Sequence, residues 1–259
     1  MLKISPLFSG SKGNCTLIQS DNANILLDAG FSYRSIVKAL ESRNLTPKDI
    51  DAIVISHEHG DHINALPMWT KYTPTPVYAP HLLADYIQQR VYFSEVRATT
   101  CDFKIGDIVV EMYECSHDAR CCYGYRFCKG SQYFACVTDT GCASDALVDF
   151  LTPCSAIMLE SNHDVDMLMK GEYSYPLKKR ILSDFGHLSN TQATDILSKL
   201  IGSKVKNVIL SHLSEKNNTR ELAFNSAVNM YTAHGLTEGK DVKVYVADQY
   251  KNEITICLD

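Results

Sequence analysis

Short apolar runs separated by polar turns follow one another along the N-terminal part of the chain. Strand-like alternation over residues 2–8, 15–20 and 24–29 is punctuated by Gly/Ser and Asp-Asn pairs. Residues 32–43 instead place apolar side chains at helical spacing, and the apolar run 52–55 is typical of a buried strand. The pattern therefore predicts a β-meander, a helix and one further buried strand.

The rest of the chain alternates between strand-like and helix-like segments. Residues 101–137 predict strands, with hairpin turns at Gly106 and Gly130, whereas no regular element is predicted for the proline-rich stretch 73–80. Mixed strands with interleaved helices indicate a layered α/β body. Beyond residue 141 the pattern predicts helices over 142–151, 175–184, 190–201 and 218–234, and strands over 155–160, 207–211, 242–247 and 253–258.

Two distant segments repeat one pattern. Residues 53–57 read Ile-Val-Ile-Ser-His, and residues 208–212 read Val-Ile-Leu-Ser-His. Each segment places a His where a buried strand ends, and the carboxyl ends of strands are where α/β sheets bind ligands. His57 and His212 are therefore candidate site residues.

The composition is that of an ordinary globular protein, with 45% hydrophobic and 21% charged residues. No apolar run approaches the length of a transmembrane helix, and the N-terminus lacks the features of a signal peptide. A cytoplasmic protein is therefore expected. The ten Cys form no CxxC pair, which argues against zinc ribbons and CxxC redox sites and predicts reduced thiols.

The charge is unevenly distributed. The formal net charge is −5, yet residues 170–206 hold seven Lys/Arg against three Asp/Glu, a local net of +4. A solvated helical face explains such a strip as readily as contact with phosphates does. Lys178, Lys179 and Arg180 in this strip are candidates for substrate contact.

Residues 57–62 carry the strongest chemical signal. Three His and one Asp lie within these six residues, directly after a predicted strand. The alternate residues His57 and His59 can aim two imidazoles at one point, while Gly60 permits a tight turn that brings Asp61 and His62 to a second point. Imidazole and carboxylate suit Zn, Mn or Fe, so the spacing predicts a metal site.

The HxHxDH spacing resembles the signature of the metallo-β-lactamase superfamily, and the resemblance extends over the whole chain. It implies an α+β fold, a four-layer αβ/βα sandwich of two mixed sheets with outer helices, as a single domain over residues 1–259. It also implies two divalent ions, zinc being expected and Mn, Fe or Ni being alternatives. The implied ligands are His57, His59 and His117 for the first ion and Asp61, His62 and His212 for the second, with Asp139 bridging both.

Two close cations would lower the pKa of a bridging water, and Asp61 would orient the resulting hydroxide toward its target. Because only 47 residues separate Asp139 from His187, the resemblance implies the compact form without an inserted β-CASP domain.

Other segments resemble the YycJ/WalJ-like (VicX-type) bacterial hydrolases, a group associated with DNA exonuclease activity. The GHLSN segment also lies where ribonuclease Z carries a GHST-like segment, which implies His187 as the general acid for the leaving oxygen. Ser189 and Gln192 are expected to form a capping box that fixes this loop. The matching segments are residues 8–15, 25–30, 159–164, 186–190 and 211–218.

The leading hypothesis is a dinuclear metal-dependent phosphodiesterase, an exonuclease-like enzyme that acts on DNA or RNA. Asn190 and His163 join the basic residues as candidates for substrate contact, His163 equally as a residue that supports the site. The alternative is a small-molecule hydrolase, either a cyclic-phosphate diesterase or a glyoxalase II-like thioester or lactone hydrolase, since the metal ligands are nearly the same in all of these. A regulatory binding protein without turnover is disfavoured by the intact Asp61.

Overall fold

Fourteen strands form two seven-stranded sheets in the structure, a computed structural model that describes residues 1–258. The strands are β1 (Leu2–Phe8), β2 (Cys15–Gln19), β3 (Asn24–Leu27), β4 (Ala52–Val54), β5 (Val77–Pro80), β6 (Val96–Thr99), β7 (Phe103–Ile105), β8 (Ile108–Glu114), β9 (Tyr123–Lys129), β10 (Gln132–Val137), β11 (Ala156–Glu160), β12 (Asn207–Ser211), β13 (Lys243–Val246) and β14 (Ile256–Leu258). The first sheet has the order β14-β1-β2-β3-β4-β5-β6, and the second has the order β13-β12-β11-β10-β9-β8-β7.

Both sheets are mixed in the same way. Strands β14, β1, β2 and β3 pair antiparallel and β3 to β6 pair parallel, just as β7 to β10 pair antiparallel and β10 to β13 parallel. Parallel neighbours need long crossover connections, which helices usually supply. The helices are α1 (Tyr33–Glu41), α2 (Gly60–Ile63), α3 (Leu66–Tyr72), α4 (His81–Gln88), α5 (Asp145–Leu151), α6 (Val165–Lys170), α7 (Tyr175–Ile181), α8 (Asn190–Lys199) and α9 (Arg220–Ala233), with a 3₁₀ turn at Pro47–Asp49.

Three apolar layers hold these elements together. Alternate residues of β3 point to opposite faces: Ile25 and Leu27 pack between the two sheets, and Leu26 packs toward α1, α3 and α4. On the outer face of the second sheet, Leu159 and Leu210 pack with α5, α8 and α9. The order helix, sheet, sheet, helix confirms the predicted four-layer sandwich.

The local signals of the sequence correspond to observed features. The predicted turns contain Gly106 and Gly130, whose φ angles of 57° and 58° lie in the left-handed region that glycine tolerates. The expected capping box is also present. The backbone N–H of Gln192 donates to Ser189 Oγ (3.2 Å), and the backbone N–H of Ser189 donates to Gln192 Oε1 (2.9 Å). This box begins α8 directly after the loop that carries His187.

The sequence pattern assigned no element to residues 73–80, yet the second half of that stretch is a strand. Val77–Pro80 form β5, which lies between β4 and β6 in the parallel part of the sheet. The prolines are accommodated because Pro80 is the last residue of the strand, while Pro76 precedes it and accepts a hydrogen bond from Ile53 N (3.0 Å). Strand β6 and helix α6 were likewise not signalled by the sequence pattern.

Most of the cysteines lie in the interior of the sandwich. All ten cysteines are free thiols, seven of them buried, where they pack as small apolar side chains. Burial raises the pKa of the Cys154 thiol to about 12. Within residues 1–258, no helix combines the length and the apolar character that crossing a bilayer requires.

Candidate metal centre

Side chains with ligand chemistry follow the carboxyl ends of strands in both sheets. Asp28 comes directly after β3, and His57 follows β4 in the first sheet. In the second sheet Asp139 follows β10, Glu160 ends β11 and His212 follows β12. The ends of the two sheets meet at one edge of the sandwich, so these segments converge on one place.

The first cluster consists of the imidazoles of His57, His59 and His117, whose ligand atoms lie within 4.8 Å of one another. His57 is fully buried; its Nδ1 lies 3.0 Å from Ser56 Oγ, and its Nε2 has no hydrogen-bond partner. His117 donates from Nδ1 to the Gly186 carbonyl (3.1 Å), so its Nε2 faces His59 Nδ1 at 3.4 Å. Three imidazole nitrogens thus point to one place.

The second cluster joins Asp61 and His62 of α2 to the distant His212, again with ligand atoms within 4.8 Å. Asp61 Oδ2 lies 3.4 Å from His212 Nε2 and 3.5 Å from His62 Nε2. Both imidazoles are buried, whereas the Asp61 side chain is 24% exposed. Asp61 is therefore the member of this cluster that reaches toward solvent.

Asp139 lies between the two clusters. Its Oδ2 is 3.2 Å from His62 Nε2, and its Oδ1 is 3.5 Å from His212 Nε2 and 3.8 Å from His117 Nε2. Burial alone would raise the pKa of this carboxyl, but the surrounding imidazoles, His212 foremost, hold the pKa of Asp139 well below its usual range. A single ionised carboxylate thus faces members of both clusters.

Asp28 supports the candidate ligands that follow the strands of the first sheet. No role was assigned to it from the sequence. Its carboxylate accepts hydrogen bonds from Ser56 N and Oγ (both 2.8 Å) and from His62 Nδ1 (2.7 Å). Burial lowers the pKa of His62, but Asp28 and the neighbouring carboxylates raise it well above the usual value. The bond to Nδ1 turns His62 Nε2 toward Asp61 and Asp139, the usual arrangement behind metal-binding imidazoles.

Glu160 has the corresponding role in the second sheet and was also assigned no role from sequence. This fully buried carboxylate accepts from His187 Nδ1 (2.7 Å) and His212 Nδ1 (2.9 Å) through one oxygen. The Thr140 amide donates to its other oxygen at 3.0 Å. Burial opposes ionisation, but the imidazoles, His187 foremost, lower the pKa of Glu160 to about 2. One anion therefore orients two histidines.

The backbone is strained where these side chains are presented. Asp28, Asp139 and His212 have φ angles of 60°, 57° and 55°, and together with Asn44 they are all the non-glycine residues with positive φ in the described chain. Such angles concentrate at functional sites, where the surrounding structure enforces them. Gly30 adds a close approach, since a Cβ there would lie 1.6 Å from the Asp61 carbonyl oxygen.

The donor set fits divalent cations such as Zn²⁺. Imidazole nitrogen and carboxylate oxygen are ligands that Zn, Mn and Fe accept. Two buried atoms that could ligate a cation, His57 Nε2 and Asp139 Oδ2, make no hydrogen bond with the protein. Because a buried polar atom without a partner is costly, a cation between the clusters would satisfy both atoms.

Comparison with known proteins gives a consistent assignment. The model of the metallo-beta-lactamase superfamily matches residues 9–114. Exodeoxyribonuclease WalJ of Streptococcus pneumoniae serotype 2 is 36% identical over 250 residues, which cover 94% of this chain and 93% of the relative. Exodeoxyribonuclease YycJ of Bacillus anthracis is 34% identical over 256 residues, covering 95% and 96%. The chain belongs to the WalJ/YycJ family of the metallo-beta-lactamase superfamily.

Solved structures agree with this family at the level of the fold. The Bacillus subtilis metallo-beta-lactamase fold protein YhfI superposes with a TM-score of 0.77 at 17% identity, over 98% of both chains. The short form of human tRNase Z gives a TM-score of 0.67, also at 17% identity, over 99% of both chains. The predicted family and fold are thereby confirmed, as is the prediction of a metal-dependent hydrolase of nuclease or phosphodiesterase type. Membership in the WalJ/YycJ family implies that the chain binds divalent metal ions.

Side chains from both clusters form the floor of a cavity of about 270 Å³, whereas His57 and His62 are buried and do not line it. His59, Asp61, His117, Asp139 and His212 line this floor. His187 also lines the cavity, with its side chain 20% exposed and its Nδ1 held by Glu160. The chain therefore presents an anchored imidazole next to the candidate metal ligands.

Helix α7 forms one wall of the cavity, but its basic residues differ in their surroundings. Arg180 lines the cavity and forms an ion pair with Asp118. Lys178 donates from Nζ to the carbonyl oxygens of Met169 and Gly171 (both 2.7 Å). Its ammonium group therefore donates to backbone carbonyls of the protein itself, which favours a structural role over the predicted substrate contact. Lys179 is exposed and does not line the cavity.

The two other candidates for substrate contact are buried. Asn190 is 4% exposed, and its amide bonds to Ser161 Oγ (2.6 Å) and to Asn218 (2.9 and 3.0 Å), so the geometry places it in a structural network. His163 is fully buried, and burial lowers its pKa to about 4. Neither side chain lines the cavity, which favours support of the loops over direct contact with substrate.

Proposed function

We propose that this chain is a dinuclear metal-dependent phosphodiesterase that acts as an exonuclease on DNA. The observation that carries the proposal is the cavity floor, where Asp139 faces both ligand clusters and His187 stands beside them on a buried carboxylate. The names of the WalJ and YycJ relatives, both exodeoxyribonucleases, support DNA as the substrate.

The proposed ligands follow the clusters. His57, His59 and His117 would hold one cation, and Asp61, His62 and His212 would hold the other, with Asp139 shared between the two. We take zinc as the expected ion, with Mn, Fe or Ni as alternatives. Bound divalent cations would supply Lewis acidity, which lowers the pKa of the attacking water and offsets the negative charge of the transition state.

Asp61 would orient the attacking water. Burial opposes its ionisation, but His62 and His212 hold the pKa of the Asp61 carboxyl well below its usual range, so it is a hydrogen-bond acceptor at neutral pH. Its partial exposure places this acceptor at the cavity, within reach of solvent. An anchored acceptor favours one direction of attack over others.

His187 would protonate the leaving oxygen. Its Nδ1 is held by Glu160, which leaves Nε2 as the ring nitrogen available to the cavity. Burial lowers the pKa of His187, but Glu160 raises it above the usual value, which favours the protonated ring that a general acid needs. A sugar oxygen leaves poorly unless it gains a proton as the P–O bond breaks.

The experiment for this proposal compares the metal-loaded enzyme with its Asp61→Asn variant on end-labelled DNA and RNA. We expect stepwise release of nucleotides from a DNA end, and a loss in the variant that falls on kcat rather than on KM. Near-full turnover by Asp61→Asn with unchanged metal content would contradict the role of Asp61. Hydrolysis of a thioester or a cyclic phosphate without cleavage of either polymer would favour a small-molecule hydrolase. The single-domain organisation over residues 1–259 and a cytoplasmic location remain predictions.

A further inference from the structure

A furrow adjoins the cavity and shares part of its lining. The furrow has a volume of about 1030 Å³, and Ser11 and Asp61 line both spaces. It therefore begins at the proposed second cation and leads away from it along the surface of the first sheet's helices.

One wall of the furrow is a continuous helical stripe. Asp61, Asn64, Ala65, Met68 and Tyr72 line it at spacings of three, one, three and four residues, which is one face of a helix. Helices α2 and α3 carry this stripe, and the connecting residues Asn64 and Ala65 keep helical backbone angles. At about 1.5 Å per residue, the stripe extends about 16 Å from the floor of the site.

The opposite wall is the N-terminal end of α1 with the loop before it. The ring of Tyr33 stacks on that of Tyr72, with centroids 5.8 Å apart, and packs against Trp69 below. Tyr72 is held in this way, yet 62% of its surface is exposed. The furrow thus presents an anchored aromatic face to solvent.

The charge of the furrow is positive beyond its inner end. Lys12 and Arg34 line it, and Asp61 at the proposed metal site is its one acidic lining residue. Lys12 already contacts Glu215 (2.9 Å). Arg34 is exposed and has no ion-pair or hydrogen-bond partner among residues 1–258. Its guanidinium is free to meet an anion, in contrast to Arg180 on the α7 wall, which is paired with Asp118.

We propose that this furrow, between α1 and α2–α3, holds the single strand of nucleic acid that continues from the scissile phosphate. The inference rests on the proposed nuclease function and adds the path of the substrate. A base would stack on Tyr72, and Arg34 would meet a backbone phosphate; exposed aromatic rings interleaved with cations are how proteins bind single strands without reading their sequence. The lining shared with the site and the sign of the charge favour this occupant over an acidic peptide or an apolar partner.

The test compares cleavage of a single-stranded oligonucleotide with cleavage of a nitrophenyl phosphodiester, which is too short to reach Tyr72. For the Arg34→Ala/Tyr72→Ala variant, we expect kcat/KM for the oligonucleotide, relative to that for the small ester, to fall about 5- to 150-fold. The loss should appear in KM, and the variant should show a shallower dependence of KM on salt concentration because one phosphate contact is gone.

Matched controls separate binding along the furrow from a general effect on substrate entry into the cavity. Tyr175→Ala/Lys243→Ala removes an exposed aromatic on the α7 side and an exposed cation on the distant β13, and should leave the ratio unchanged. Tyr72→Phe keeps the ring and should retain wild-type KM. Thermal melting and metal content confirm that each variant is folded and loaded.

The outcomes distinguish this inference from the function on which it rests. If the wild-type enzyme cuts the oligonucleotide and the furrow variant cuts it with the same ratio and salt dependence, the path is wrong and the nuclease function stands. An equal loss in Tyr175→Ala/Lys243→Ala would also overturn the path. If the wild-type enzyme neither binds nor cuts the oligonucleotide, the proposed function fails and the path fails with it.

Discussion

The floor and the rim of the cavity differ in how their side chains are held. In the two clusters on and beneath the floor, His57, His62 and His212 are at most 3% exposed. The Nδ1 atoms of His62 and His212 donate hydrogen bonds to buried carboxylates, which orient both rings. The rim consists of the exposed side chains around the floor, such as Arg180 on the α7 wall and Tyr72 in the adjoining furrow. The side chain of Arg180 is 55% exposed and Tyr72 is 62% exposed. A preorganised floor suits chemistry that tolerates little displacement, whereas exposed side chains suit contact with a variable polymer. Substitutions in the floor should therefore change metal content and kcat, and substitutions in the rim should change KM and its salt dependence.

The largest effect is expected for Asp139→Ala. Because the carboxylate faces both clusters, its removal should weaken both metal sites together and abolish turnover. Metal content per chain after dialysis, measured by mass spectrometry, checks this directly. Asp145→Ala removes an exposed carboxylate at the start of α5 and should leave both ions in place. Retention of one ion at wild-type affinity in Asp139→Ala would show that the carboxylate is not shared.

His187→Ala should have the next largest effect, and only on substrates with a poor leaving group. A positioned general acid contributes about 10²–10⁴-fold, so cleavage of DNA should fall by this order. A nitrophenyl phosphodiester needs no proton on its leaving group and should be hydrolysed at nearly the wild-type rate. The control is His81→Ala, an exposed position at the start of α4. Equal losses on both esters would assign His187 to substrate positioning, and loss of metal would make it a ligand.

Glu160→Gln and Asp28→Asn compare the two buried carboxylates behind the floor. Each supports a proposed metal ligand, so each variant should lose about 10–100-fold in metal affinity or activity. Glu160 also holds His187, and therefore Glu160→Gln alone should lower the rate on DNA relative to the nitrophenyl ester. The measurement is this ratio of rates at saturating metal. An unchanged ratio in Glu160→Gln would mean that His187 acts without its carboxylate partner.

The smallest effects are expected on the α7 wall. Arg180→Ala should raise KM for DNA and reduce the slope of log(kcat/KM) against log[salt] by about 1, if the arginine meets a phosphate. Lys178→Ala should leave that slope unchanged and lower the free energy of unfolding by about 1 kcal/mol, because it loses two hydrogen bonds to the backbone. A reduced slope in Lys178→Ala would restore it as a substrate contact.

The same division separates what the sequence could and could not predict. Residues 57–62 are informative because their geometry is local: the spacing of His57 and His59 and the turn at Gly60 bring ligands together without knowledge of the fold. The support from Asp28 and Glu160 depends instead on sheet register, since Glu160 reaches His212 because β11 pairs with β12 with Glu160 opposite Ser211. A single carboxylate at the end of an apolar strand is the one signal that could have found them.

The rim was harder to predict because charge along a sequence does not give direction. Lys178, Lys179 and Arg180 are adjacent, yet Lys178 binds backbone carbonyls, Lys179 is exposed away from the cavity and Arg180 lines it.

Strand β5 was missed because its stability depends on its neighbours. Pairing with β4 and β6 stabilises a segment whose prolines argue against a strand.

Two cations on the floor would together support the proposed cleavage of nucleic acid. The direct measurement is the rate of nucleotide release from end-labelled DNA while chelator-treated enzyme is titrated with Mn²⁺ or Zn²⁺, with the bound metal determined at each point. We expect activity to follow the second equivalent and to be maximal at two ions per chain. Full activity at one ion per chain, or activity that persists without bound metal, would contradict it.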